Sequence, residues 1–107
     1  MNRQNDACVV LCTAPDESLA KQLAKGLVEN ELAACVQLIK DVSSFYQWNN
    51  ELVEDKECQI VIKTRLSHVD EALEYVLSHH PYDVPEWVVL DATTSKPYMN
   101  WIKSSLK

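Results

Sequence analysis

Residues 33–65 read AACVQLIKDVSSFYQWNNELVEDKECQIVIKTR: a strand, a turn and a returning strand. Asn49-Asn50 is the turn, because asparagine tolerates the positive φ that a two-residue hairpin loop requires. The incoming arm, 33–48, is interrupted near Lys40-Asp41. The outgoing arm, 51–65, alternates at its far end, with Cys58, Ile60 and Ile62 on one side and Glu57, Val61 and Lys63 on the other. Fifteen residues at about 3.3 Å each reach roughly 50 Å. A chain of this length folds to a body about 35 Å across, so the ribbon must bend back or project. A projecting ribbon would expose Phe45, Tyr46, Trp48, Leu52 and Val53, together with its unpaired edges. Pairing with a neighbouring subunit removes both problems, which predicts an oligomer; a sharply bent, solvent-exposed hairpin is the alternative.

Outward from the ribbon, ACVVLCTA (7–14) is a valine- and cysteine-rich run stopped by Pro15, and predicts a strand buried on both faces. A helix follows. Asp16 and Glu17 stand at its positive end, and Leu19, Leu23, Leu27 and Val28 recur at helical spacing. Gly26, the one glycine in the chain, falls inside it. It costs up to about 1 kcal/mol there against alanine, which a large neighbour close to the backbone would explain. Ser67 begins a second helix, with Asp70 as a weak capping-box partner and a stripe through Val69, Ala72, Leu73, Val76 and Leu77. His79 and His80 fall in its last turn, and Pro81 stops it. Residues 86–93 predict a fourth strand. Ser95 caps a final helix that carries Pro97 in its first turn and Tyr98, Trp101, Ile102 and Leu106 on its apolar face. The order β-α-β-β-α-β plus a C-terminal helix predicts an α+β fold, the ferredoxin-like split βαβ sandwich with a four-stranded antiparallel sheet, as one domain over 1–107.

The 107 residues carry a net charge of −6, from ten Lys plus Arg against sixteen Asp plus Glu. That balance disfavours nucleic acid and anionic membrane as partners and is compatible with a cationic one. No apolar run is long enough to span a bilayer. The segment MNRQNDACVVLCTAPDE lacks the basic region and long apolar core of a signal peptide, so the expected location is the cytoplasm. Cys8, Cys12, Cys35 and Cys58 would be reduced there, and no CxxC pair suggests a zinc finger or a thioredoxin-like motif.

VVLCTAPDE, LVENELAACVQLI, SFYQW, ECQIVIKT and SHHPYDVPE occur in that order between about residue 8 and Trp101. Together they resemble the CutA family of divalent-cation tolerance proteins. The resemblance implies a cytoplasmic homotrimer of ferredoxin-like subunits, akin in architecture to PII signalling proteins, with the hairpin reaching onto a neighbour. It further implies copper, Cu(2+) or another divalent cation, as ligand, held by Cys12, His79 and His80. The sequence departs from the family where the hairpin turn usually has glycine and here reads Asn49-Asn50.

The residues leave alternatives open. Imidazole suits Cu(II) and thiolate suits Cu(I). Yet neighbouring helical residues point about 100° apart, so His79 and His80 converge only if Pro81 has unwound the turn. Histidines at a helix C-terminus also simply offset its dipole. Cys12 on a central strand reads equally as a small buried hydrophobe. Glu57, Lys63, Tyr82 and Glu86 place polar groups in segments that otherwise read as core. They either pair across subunits or line an intersubunit cleft, with His80 at its rim, for a small molecule. No phosphate loop, GxSxG or HExxH pattern occurs, and no enzyme activity is expected.

Overall fold

The computed structural model describes residues 6–107. The expectation drawn from the N-terminus rests partly on residues 1–5, which lie outside the described residues. The strands β1 (Ala7–Ala14), β2 (Cys35–Trp48), β3 (Glu51–Arg65) and β4 (Val88–Asp91) form one antiparallel sheet in the order β2-β3-β1-β4. The helices are α1 (Glu17–Glu29), α2 (Val69–His79) and α3 (Lys96–Ser105). This is the expected α+β, ferredoxin-like order.

The ribbon forms as its sequence implies. Asn49 and Asn50 take φ of 53° and 63°, and Trp48 faces Glu51 across the turn. The register shifts between Ile39 and Val42, where Asp41 turns to φ 57°, so the interruption at Lys40-Asp41 is a β-bulge. The described chain measures 45 × 28 × 22 Å, long in one direction because the ribbon projects. Phe45, Trp48 and Leu52 stand exposed at its end.

The core lies between one face of the sheet and α1 with α2. It contains Cys8, Val10, Cys12 and Ala14 of β1, Leu23 and Leu27 of α1, Ile60 and Ile62 of β3, and Val76 of α2. Asp16 caps α1, accepting from the Leu19 amide at 2.8 Å. Gly26 lies against Tyr75 of α2: a Cβ built there would sit 1.6 Å from the Tyr75 hydroxyl oxygen. Thr64, fully buried, donates to the Leu32 carbonyl at 2.7 Å. Ser95 caps α3 by accepting from the Tyr98 amide.

Three expectations change. The strand over 7–14 is not buried on both faces: Val9 and Leu11 are only half-buried, because the helices α1 and α2 cover the opposite side of the sheet. The Ser67–Asp70 box does not form. Leu66–His68 is a 3-10 turn, and Ser67 Oγ pairs with His68 Nδ1 at 2.8 Å while His68 Nε2 meets the Lys107 carbonyl at 2.6 Å. The fourth strand shortens from 86–93 to Val88–Asp91, the length over which β1 offers it partners.

A candidate groove between the ribbon and the 80–87 segment

Alternation along β1 and β3 sends Thr13, Glu57 and Gln59 to the sheet face away from α1 and α2, with Thr13 opposite Gln59. The hairpin register adds Tyr46, Trp48 and Val53 to that face, with Tyr46 opposite Val53. After α2 the chain runs through residues 80–87 without regular structure and turns over the end of β1. Gln59 Nε2 anchors it there, donating to Glu86 at 3.1 Å and to the Cys12 carbonyl at 2.7 Å. The result is a groove of about 680 Å³. Tyr46, Trp48 and Val53 form the ribbon wall, Tyr82, Asp83, Val84 and Glu86 the opposite wall, and Thr13 and Glu57 the sheet side. Tyr46 donates its hydroxyl proton to Asp55.

The groove is electronegative. The hydrogen bond to Asp55 pushes the Tyr46 phenol up to about 12. Burial raises the Tyr82 phenol, and Glu57, Asp55 and Asp16 add to it. Across the sheet, burial and then Glu86 push the Cys12 thiol up to about 12, with Glu57 a smaller contributor.

His80 lies at the hinge of the 80–87 segment. The Tyr82 amide donates to its Nδ1 at 3.1 Å, so the ring proton is on Nε2, which donates to the Thr13 carbonyl at 2.7 Å. Both nitrogens are engaged. Tyr82 lies against the ring, 4.8 Å between centroids. His79 stays in the last turn of α2. Its Nδ1 is 2.8 Å from the Tyr75 carbonyl, to which only a donor can bond, so in the neutral ring Nε2 carries the lone pair. The Tyr75 ring packs on it at 4.4 Å. Cys12 is fully buried, and its Sγ–H points at the same Thr13 carbonyl, 3.7 Å away.

The three residues expected to hold a metal therefore do not converge within the chain. His80 has left the helix, with φ −96° and ψ 137°, as a residue preceding proline does. The turn that unwinds carries it to Thr13 and away from His79. Among the described residues, no three or more His, Cys, Asp or Glu side chains gather as metal ligands. A neutral buried thiol and an imidazole with both nitrogens bonded do not fit a metal ion as they stand.

Of the expected cleft residues, Glu57, Tyr82 and Glu86 come together in the groove. Lys63 does not join them. It shares a strand face with Glu57 but lies six residues along, and lines a separate cavity of about 350 Å³ beside Cys8, Tyr98 and Ile102. Thr13, Tyr46, Trp48 and Asp83 also line the groove, beyond the residues expected there. For Tyr46 and Trp48 the signal was present: a two-residue turn at 49–50 already places them on the face of Glu57. For Thr13 and Asp83 only the path of the 80–87 segment brings them in.

Residues 8–105 match the family model described as CutA1 divalent ion tolerance protein. A divalent-cation tolerance protein CutA from Citrobacter koseri is 43% identical over 103 residues, covering 95% of this chain and 90% of the relative. One from Escherichia coli is 44% identical over 100 residues, covering 92% and 89%. Among solved structures, the divalent cation tolerance protein from Thermus thermophilus superposes with a TM-score of 0.91 at 39% identity, covering 94% of this chain and 99% of that one.

Proposed function

Because this chain belongs to the CutA1 divalent-ion tolerance family, we propose that it binds copper(II) or another divalent cation as a cytoplasmic homotrimer of one-domain subunits, and so contributes to metal tolerance. The family match over residues 8–105 carries this reading. A tolerance role treats the ion as cargo, and a binding protein, not an enzyme, is sufficient for it. The assembly is supported by the ribbon, whose Phe45 and Leu52 stand exposed on the face away from the groove and need a cover. Four free thiols suit a reducing compartment.

His79 is the ligand ready as the chain stands, through an Nε2 that bonds to none of the described residues. His80 and Cys12 can join it only after the Thr13 carbonyl releases both. Copper(II) dialysed into and then out of the protein tests this. Wild type and His80→Ala should retain similar amounts, and His79→Ala clearly less. Equal retention by wild type and His79→Ala would remove that histidine from the site.

A second reading is favoured by the groove itself: a PII-like trimeric scaffold that takes a small molecule where ribbon and loop meet. A cavity of 680 Å³ with mostly apolar walls and a few polar groups is of ligand size.

A further inference from the structure

We propose that the groove between the ribbon and the 82–86 segment binds an organic ammonium cation, held by the faces of Tyr46, Trp48 and Tyr82 and by the carboxylates of Glu57 and Glu86. This builds on the small-molecule reading of the groove and names the ligand's chemical class.

Three observations on different elements converge. Three aromatic side chains from two walls line one space and remain exposed there, Trp48 by 67%. An aromatic face attracts a cation through its quadrupole, tryptophan most strongly. The only ionisable groups with a formal charge among the lining residues are acidic, Glu57, Asp83 and Glu86, with no lysine, arginine or histidine. Glu57 is half-buried and makes no salt bridge among the described residues. The third observation is Thr13. It is 6% exposed and lines the groove, and its hydroxyl bonds to none of the described residues. No buried side-chain oxygen among the described residues lacks a partner, so this hydroxyl is reached by solvent and stands open to a polar group of a ligand.

The same geometry separates an organic cation from a metal ion. A metal needs oxygens packed around a point at a little over 2 Å. The groove's carboxylates stand on the sheet and on the opposite wall and form no such cluster. An ammonium group carries its charge on a larger, softer surface and is satisfied by aromatic faces and carboxylates at greater separation. The Thr13 hydroxyl would then accept from an N–H or meet a polar substituent of the ligand.

The test is calorimetric titration of the assembled, chelator-treated protein with choline and with butylammonium, each beside its uncharged carbon isostere. At least one cation should bind saturably, with its isostere weaker by about tenfold or more. Trp48→Leu and Glu57→Gln should each weaken the cation by several-fold, and unchanged melting of the unliganded variants shows that they fold. Isosteres that bind as tightly as the cations would overturn the cation inference while leaving a small-molecule groove. Binding of none of the four overturns both, and a cation affinity untouched by Trp48→Leu and Glu57→Gln places the site elsewhere and overturns the proposal.

Discussion

Thr64 and Cys12 sit in the same core with opposite demands. Thr64 is fully buried and gives its proton to the Leu32 carbonyl. Thr64→Val keeps the shape and orphans that carbonyl, and should cost about 1–3 kcal/mol in a denaturant titration. Cys12 must keep its proton. Burial holds its thiol near 12 and that of Cys8 near 11, against an ordinary 9.0. Above pH 9 the unfolded chain sheds these protons and the folded chain retains them. The native state then binds more protons, so stability is fully present below that pH and falls as pH rises towards 12. Denaturation midpoints measured between about pH 8 and pH 10.5 should decline, and Cys12→Ala should flatten the decline. A midpoint independent of pH over that range would contradict the burial argument. The strand carrying Cys12 was legible from its apolar run. The sharing of the Thr13 carbonyl by Cys12 and His80 was not, because it depends on a loop returning from 67 residues away.

At the scale of elements, Gly26 shows where pattern stops and packing begins. Its place inside a helix is plain in the sequence, but the identity of the neighbour is not. Tyr75 lies on α2, and only the docking of α2 on α1 sets its hydroxyl oxygen 1.6 Å and its ring carbon Cζ 2.4 Å from a Cβ at position 26. The whole ring would have to move, and its other side is held by His79. Gly26→Ala gains up to about 1 kcal/mol of helix propensity and should still lose about 1–3 kcal/mol net through overpacking. Adding Tyr75→Ala should recover much of that loss, a coupling that a double-mutant cycle reads directly. The same limit explains the capping box. Ser67 and Asp70 have the right spacing, yet the 3-10 turn at Leu66–His68 brings His68 to the C-terminal residue instead.

At the scale of the whole molecule, the ribbon projects beyond the body of the chain. Phe45 and Leu52 remain exposed on the ribbon face away from the groove. If a neighbour covers them, replacing Phe45 and Leu52 by glutamate should leave the fold intact and reduce the assembly, because two buried charges without partners cost more than the interface returns. Light scattering should give the wild type about three times the chain mass and the double variant less. Equal masses for both would take Phe45 and Leu52 out of the interface.

The sequence alone determined the order of elements, the turn at Asn49-Asn50, the interruption near Lys40-Asp41 and the excessive length of the ribbon. Each follows from periodicity, backbone preference or rise per residue, which are local quantities. Tertiary structure alone decided which side chains share a space: it separated His79 from His80, divided Lys63 from Glu57, and joined Trp48 to Tyr82 and Thr13. Those placements depend on how a loop without regular structure returns over the end of β1. Its course is set by long-range hydrogen bonds from Gln59 and His80, which no local pattern encodes.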